Sequence, residues 1–304
     1  MKRPLLLIPL LALAAVPCLA QDPATNAPMA EAAQTNAVPL RWGVVPFPDG
    51  FALFDRFVEL VHAPPRYDLA GIGFGWYDKA RDAYGAQLDI LLASAENVRG
   101  VQFGLFGANA KTATGVTAGL CTVSGRTDGL SVSLILGLSE QHRGIQLSGV
   151  FSGADEIGCQ FGEDADADAI EAETPLSWGV NAALWKVRAR RFWGVEVGGA
   201  AAGGNLIDGL VVGSLTGVRR MRGLQAGGVN SSFQVRGAEI GLVNVATDLD
   251  GLQCGIWNEA DTLHGLQIGV YNRARNGAGV QIGFVNGFGP PGDALWLPLV
   301  NARF

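Results

Sequence analysis

The densest group of potential metal ligands in the sequence is a run of acidic side chains near the middle of the chain. Its carboxylates are Glu163, Asp164, Asp166, Asp168, Glu171 and Glu173. Such oxygens are the hard ligands that Ca²⁺ prefers, but an EF-hand loop needs Gly at its sixth position and Glu at its twelfth. Alanines separate these acids instead. The run therefore predicts a solvated loop, and Ca²⁺ binding by it stays an open alternative.

The cysteines and histidines do not show the spacing of a metal or nucleophile site. Outside the N-terminal segment 1–20 they are Cys121, Cys159, Cys254, His62, His142 and His264. They match neither the ligand spacing of a zinc site nor the Gly-x-Ser-x-Gly turn of serine hydrolases. We interpret the cysteines as small buried hydrophobic residues, and we predict no cofactor, no metal and no enzymatic activity.

Two glycine-rich segments resemble phosphate-binding loops, namely 71–75 and 198–204. A nucleotide-binding loop must open a helix, because the helix N-terminus holds the phosphate. Neither segment is followed by a helical pattern. The first segment is a unit of the repeat, and nucleotide binding is not expected at either segment.

Two aromatic residues, Trp257 and Tyr271, lie one repeat apart and occupy equivalent positions of their units. If the repeats stack, their rings form a short exposed patch on the face that carries Gly and Gln. Exposed aromatic side chains on a regular sheet are typical of surfaces that bind glycans or proteins. The alternative interpretation is that these rings cover a corner of the fold.

The repeat that positions these residues opens with a glycine. The opening glycines are Gly71, Gly85, Gly100, Gly115, Gly129, Gly144, Gly158, Gly179, Gly194, Gly209, Gly223, Gly237, Gly251, Gly265 and Gly279. A near-constant step between them indicates a repeat architecture with a period of about 14 residues. Only the step from Gly158 to Gly179 is longer, and it predicts an insertion of about 6 or 7 residues between these two units.

Each unit alternates between two kinds of side chain. Counting the opening glycine as position one, positions two, four and six are mostly apolar, position three is often Gln and position five is often Gly. This period of two predicts a strand with one apolar face, which needs to be covered, and one small, polar face. The last five units carry Asn at position eight, which we place at the corner where the strand stops, because Asn tolerates left-handed backbone.

The predicted fold class is all-β, a repetitive β-solenoid of about 15 coils of 14–15 residues. Identical connections favour strands that all run the same way, and stacked Gln and Asn then form amide ladders. On this interpretation Leu249 and Leu263 point inward from the return side of their coils. The alternative is an antiparallel β-barrel of the outer membrane, which the C-terminal Phe304 after an apolar strand would suit.

The chain divides into five predicted segments. They are a signal peptide (1–20), a flexible leader (21–38), an N-terminal β cap (39–70), a repeat domain (71–286) with an acidic insertion (163–178), and a C-terminal cap strand (287–304). The signal peptide predicts export to the periplasm, outer membrane or cell surface. Without Lys2 and Arg3 the chain has 20 basic and 28 acidic residues, so nucleic acid is not expected as a partner.

The C-terminal segment 241–272, GLVNVATDLDGLQCGIWNEADTLHGLQIGVYN, resembles exported bacterial surface-repeat proteins with units close to GLQIGLVN. The resemblance extends over residues 71–286, and it weakens between Gly179 and Gly213. It implies a location in the cell envelope and carries over no functional residues. We expect a non-enzymatic, exported structural repeat protein with a flat binding face. The alternatives are an outer-membrane pore or anchor and a carbohydrate-binding or carbohydrate-active solenoid.

Overall fold

The structure is a computed structural model that describes residues 40–42, 67–154 and 175–304. It contains the strands β1 (Leu40–Trp42), β2 (Tyr67–Ser148), β3 (Phe151–Ala154), β4 (Ser177–Ala183), β5 (Lys186–Phe288) and β6 (Leu295–Arg303). All six belong to one sheet, and the described residues contain no helix. The all-β class predicted from the alternating pattern is confirmed. Within the same residues, no helix is long and apolar enough to cross a membrane.

The pairing between strands is parallel except at the C-terminus. β3 pairs with β2 so that Phe151 lies beside Leu136, and β4 pairs with β5 so that Ser177 lies beside Phe192. Both offsets equal the length of one unit. Only β5 and β6 are antiparallel. Parallel neighbours one unit apart are what a chain of identical, identically directed strands requires.

The two longest strands, of 82 and 103 residues, turn many times and stack on themselves. The column of opening glycines shows this, because a Cβ placed on Gly85 would lie 2.2 Å from the carbonyl oxygen of Gly71. The same contact recurs at 2.1 Å between Gly100 and Gly85 and at 1.9 Å between Gly251 and Gly237. Each unit therefore lies on the preceding one with equivalent positions in register.

The opening glycines are required by the backbone conformation at this corner. Thirteen of them have positive φ, between 97° and 148°. Side chains of L-residues are strained there, whereas glycine is not. The corner thus combines a conformation that only glycine adopts easily with a backbone contact too close for any Cβ.

The register corrects the predicted number of units. Gly179 pairs with Gly144, so no unit opened by Gly158 lies between these two glycines in the sheet. One ordinary unit accounts for part of the chain between them, and the remainder is an interruption that corresponds to residues 155–174. The repeat therefore has 14 units rather than 15, and the insertion is longer than the spacing predicted. Gly158 and the acidic run lie outside the described residues.

The two faces of the repeat point in the directions opposite to those expected. The residues at position three are buried in all 14 units, and the five Asn residues at position eight are buried too. The apolar residues at positions two, four and six face outward, and many of them are exposed. The prediction that the apolar face is covered and that the Gly and Gln face is open was therefore wrong.

The apolar core comes mainly from positions nine and later of each unit, which we call the return side. Leu249 and Leu263 are fully buried, as their position before the glycine predicted, and they pack in one cluster with Ala246 and Ala260. A second cluster of buried apolar residues lies in the first units of the stack, between Leu69 and Ala113. Between the clusters the interior is lined by hydroxyl groups, which are Thr117, Thr122, Ser124, Thr127, Ser131, Ser133, Ser139, Ser148, Ser152 and Ser177.

Two ladders of side-chain amides form the opposite side of the interior. In the first, Gln281 donates to Gln267 (2.8 Å) and Gln267 donates to Gln253 (2.7 Å), so each amide points to the preceding unit. In the second, Asn244 donates to Asn258 at 2.7 Å and Asn258 to Asn272 at 2.8 Å, towards the following unit. The two rows of amide dipoles run in opposite directions, so their fields partly cancel.

The Asn ladder explains both the Asn at position eight and the Gly at position five. A Cβ on Gly255 would lie 2.6 Å from Nδ2 of Asn244, so the amide occupies the space that a side chain would need. Asn258 is buried and also donates to the carbonyl oxygen of Ile268 at 2.9 Å. None of these Asn residues has the left-handed backbone that we predicted for them. The left-handed corner belongs to the glycine.

Both ends of the stack are extended by further strands. β1 pairs in parallel with residues 68–70, two units later along the chain. At the other end β6 runs antiparallel along residues 279–288 of the last unit. There Asn301 donates from Nδ2 to the carbonyl oxygens of Asn286 (3.2 Å) and Leu295 (2.9 Å). This contact supplies the final Asn of the ladder with a partner from the terminal strand.

Candidate binding face

The largest feature of the surface is the outward side of the strands, which we call the apolar face. It comprises positions two, four and six of the 14 units. Of these 42 residues, 38 are Ala, Val, Ile, Leu, Phe, Trp or Cys, and the others are three Gly and one Ser. None is charged. Its exposed members include Ile72, Phe74, Trp76, Val101, Phe103, Leu105, Val132, Leu134, Ile145, Leu147, Leu184, Val197, Ile240, Leu242, Ile256, Ile268, Val270, Ile282 and Phe284.

The apolar face is much larger than the patches that soluble monomers usually expose. Fourteen stacked units spaced by about 4.8 Å extend over roughly 60 Å, and five strand residues span about 15 Å. Their product is on the order of 900 Å², whereas the largest patch of a typical monomer covers about 300–600 Å². Exposed surfaces of this size and uniformity mark interaction sites.

The two aromatic residues singled out in the sequence stack as predicted. The ring centroids of Trp257 and Tyr271 are 4.0 Å apart with an interplanar angle of 23°. Trp296 of β6 lies on the other side of Tyr271, at 5.8 Å and tilted by 43°. The guanidinium of Arg273 lies 5.1 Å from the centroid of the Trp296 ring.

This geometry places the aromatic stack beside the apolar face and not on a Gly and Gln face. Trp257 and Tyr271 hold position seven, directly after the apolar strand, and Trp257 is exposed. Because Tyr271 has an aromatic ring on each side, its ring faces are covered by protein. A sugar that stacks on an aromatic platform needs an open ring face. The stack therefore extends the apolar surface around the corner of the sheet.

Charged residues flank the apolar face along the corner that precedes each glycine. Asp128 and Arg143 lie there in adjacent units with 4.0 Å between Arg143 Nε and Asp128 Oδ1. Asp208 and Arg222 repeat the arrangement at 3.9 Å. At these two places the rim thus carries both signs of charge in adjacent units.

Two buried ionisable side chains, Glu239 and His142, have shifted pKa values. Burial raises the pKa of Glu239, and hydrogen bonds from Gln253 and Ser232 partly oppose this. Burial lowers the pKa of His142 to about 4, against smaller contributions from the backbone at Gly144 and the charge of Asp128. Neither His142 ring nitrogen has a hydrogen bond of normal geometry in the described part of the chain.

Both buried groups contact neighbouring units of the stack. Glu239 holds position three of its unit and accepts a hydrogen bond from Gln253 at 2.8 Å, so it replaces a Gln in the ladder. His142 precedes Gly144, and its backbone N–H donates to Ser177 Oγ at 3.0 Å. Among residues 40–42, 67–154 and 175–304, no three His, Cys, Asp or Glu side chains come together as metal ligands.

The cysteines are less buried than the sequence suggested. Cys121 and Cys254 are free and half-buried, and burial raises the pKa of the Cys121 thiol. Cys254 belongs to the apolar face, at position four of its unit. Cys159 and His62 lie outside the described residues.

The glycine-rich segment 198–204 is part of β5, and residues 71–75, which we interpreted as a unit of the repeat, are part of β2. Residues 201–205 form the small-residue floor of a groove on the return side, and Lys186, Arg188 and Arg219 line it. Neither segment opens a helix.

No protein-family model, no curated protein and no solved structure matches this chain. The resemblance of the C-terminal repeats to exported surface-repeat proteins therefore stays a prediction.

Sequence reasoning identified the apolar positions but missed that they form the exposed surface. A signal was present in the units themselves, since Gln at position three and Asn at position eight recur from one unit to the next. Amides repeated in register gain most when they stack away from water. Strict recurrence of Gln and Asn on one face is thus a sign that this face lies inside.

Proposed function

We propose that this chain is an exported, non-enzymatic structural protein, a β-solenoid of 14 coils that binds its partner through the apolar face. The proposal combines the fold, the site and the predicted signal peptide. It assigns the protein an assembly role in the cell envelope. The chemistry of the site is that of a binding surface, since the face carries neither a nucleophile pair nor a charged group.

Three observations support the solenoid. Equivalent positions of successive units contact each other along the whole glycine column. The pairings of β2 with β3 and of β4 with β5 are parallel, with offsets equal to one unit. Both amide ladders connect each unit only with the next. An antiparallel architecture would pair strands of opposite direction, and among the described strands this occurs only between β5 and β6.

The observation that carries the functional proposal is the absence of charge from the 42 outward positions of the described units. A surface selected only for solubility would carry charged side chains at many of them. The other outward surfaces of the same units do carry charges, for example Arg275 and Asp261, which form an ion pair at 2.9 Å on the return side. Solvent exposure alone therefore does not explain the composition of the face.

The test is the native size of the exported protein in cell extracts prepared without detergent. We expect wild-type protein in the extracytoplasmic fraction, running as an assembly larger than a monomer. The double variant Leu134→Glu, Leu242→Glu places two charges on the apolar face and should run at monomer size. The side chains it changes are 67% and 60% exposed, so the fold should tolerate the change.

The matched control is Phe233→Glu, which changes a side chain that is 53% exposed and lies on the return side of its unit. It should keep the wild-type size. If the double variant and wild type run alike, the face has no binding role. Extraction only by detergent, with a heat-dependent shift in gel mobility, would instead support the outer-membrane alternative.

A further inference from the structure

We infer that the partner of the apolar face is a second copy of this chain, so that two solenoids pack face to face in a symmetric dimer. This inference rests on the proposed function and names the occupant of that same surface. It commits to self-association, whereas another protein or a lipid surface is an outcome that would overturn it.

The area of the apolar face is sufficient for a dimer interface. The apolar face offers on the order of 900 Å² per copy, and a standard stable interface buries about 800 Å² per partner. The centre of homodimer interfaces is depleted in charged residues and rich in apolar ones, and the 42 positions of the face match this composition. One face is thus large enough and apolar enough to hold a dimer without any other surface.

The regular spacing of the side chains on the apolar face matches that of a second copy. In-register stacking arranges positions two, four and six in three parallel rows, with one side chain about every 4.8 Å along each row. Interdigitation along the full length requires a partner whose rows have the same spacing. A second copy meets this requirement by construction, because its own units stack in the same way. Sheets with identical rows form dry, closely packed interfaces of this kind, about 10 Å apart.

The charge of the repeat body also permits self-association. Segment 155–174 contains eight acidic and no basic residues, whereas residues 71–154 and 175–286 together hold 13 acidic and 16 basic residues. The repeat body therefore has only a small net charge that would repel a second copy. The charged rim carries both signs, with Asp128 next to Arg143 and Asp208 next to Arg222, and such a rim can face its own copy.

The experiment measures the mass of the purified, processed chain in solution by sedimentation velocity over a range of protein concentrations. Wild type should sediment with twice the mass of one chain. Leu134→Glu, Leu242→Glu should sediment as a monomer with an unchanged circular dichroism spectrum, and Phe233→Glu should remain a dimer. A monomeric wild type, or a double variant that stays dimeric, would overturn the inference.

A second measurement follows the thiol of Cys254, which lies on the apolar face. In a Cys121→Ser, Cys159→Ser background, labelling by a maleimide should slow as the concentration rises and the dimer forms. The two charged substitutions should abolish this concentration dependence. Labelling that is independent of concentration in every variant would contradict burial of the face by a second copy.

The two experiments separate this inference from the proposed function. If purified wild type is monomeric but the assembly in extracts still depends on Leu134 and Leu242, the face is functional and its partner is another molecule. Purified protein that binds to vesicles while it remains monomeric points to a lipid surface. If neither extract nor purified protein responds to the charges, the proposed function fails together with the inference.

Discussion

Amide side chains fill much of the interior of this protein, whereas apolar side chains fill the interior of most proteins. Gln253 donates one hydrogen bond to Glu239 and another to the carbonyl oxygen of Glu259, at 2.8 and 3.3 Å. Asn258 likewise donates to the side chain of Asn272 and to a carbonyl oxygen of the next unit. Since a buried polar group is costly only when it lacks partners, these bonded ladders are compatible with a stable interior.

Glu239 places a carboxylate in the Gln ladder, and it should make stability depend on pH. Its folded-state pKa is raised by burial, so its stabilising contribution is complete below the ordinary pKa of a glutamate and is lost as the pH rises through the folded-state pKa. Glu239→Gln removes this loss. The free energy of unfolding of the variant should therefore exceed that of wild type by a margin that grows from about pH 5 to about pH 8.

Urea unfolding followed by circular dichroism at each pH measures this margin. The exposed Glu96→Gln is the matched control, and its stability should run parallel to that of wild type. A margin for Glu239→Gln that does not change with pH would show that the carboxylate is not held in a desolvated site.

Asn258 is the middle residue of the Asn ladder, and its two donors are both used. Asn258→Asp removes them and places an acceptor opposite the amide oxygen of Asn272 and the carbonyl oxygen of Ile268. We expect a loss of about 3 kcal/mol or more in the free energy of unfolding. Asn276→Asp, at an exposed position, should change it by less than about 0.5 kcal/mol. Similar losses for both substitutions would contradict a structural role of the ladder.

The strand-and-corner unit depends on one conformation that repeats along the whole stack. Gly237 has φ +142°, and a Cβ on it would lie 2.0 Å from the carbonyl oxygen of Gly223. This oxygen belongs to the backbone, so the contact cannot be relieved by the movement of a flexible side chain. The corner thus sets both the direction of the chain and the distance between units.

Gly237→Ala should therefore cost about 2–4 kcal/mol in the free energy of unfolding, from backbone strain and from the displaced neighbour. Gly217→Ala is the control, because its φ is not in the left-handed region and no atom lies within 4 Å of the added Cβ. It should stay within about 1 kcal/mol of wild type. Thermal unfolding of both variants measures the difference, and equal melting temperatures would refute the role of the corner.

The terminal strand β6 protects the last unit, whose open edge would otherwise pair with further strands. It covers residues 279–288 in antiparallel register with an irregularity between Gly283 and Asn286. Pro298 lies in β6 opposite this irregularity, and a proline cannot donate to another strand. Edge strands with a proline and an irregular register resist further pairing. This end of the stack is thereby protected against further strand pairing along its axis.

The sequence predicted much of this architecture because its units are nearly identical. The period, the alternation and the inward Leu249 and Leu263 follow from side-chain types alone. The orientation of the faces could not be read from hydrophobicity, since the usual rule places Leu and Ile inside. Here the buried side is decided by hydrogen bonding between units, which depends on Gln253 and Asn258 having neighbours in register.

The predicted number of units was wrong for a different reason. Gly158 is followed by a small apolar residue and a Gln, as in a true unit, so local pattern alone could not exclude it. Only the pairing of Gly144 with Gly179 shows that these two glycines open neighbouring units of the stack. A register is a property of two distant segments, and a sequence window as long as one unit does not contain it.

Deletion of residues 155–174 tests this assignment on the molecule as a whole. If the segment is an interruption of one unit, joining Ala154 to Pro175 restores an ordinary unit, and Gly144 and Gly179 keep their pairing. The shortened chain should fold into a rod of unchanged length in small-angle X-ray scattering, with a melting temperature within about 5 °C of wild type. Deletion of residues 237–243 is the control, because removing an odd number of residues exchanges the inward and outward faces of every later position in the unit and should abolish cooperative unfolding. If the first deletion also unfolds the protein, residues 155–174 are required for folding, and their assignment as a dispensable interruption is wrong.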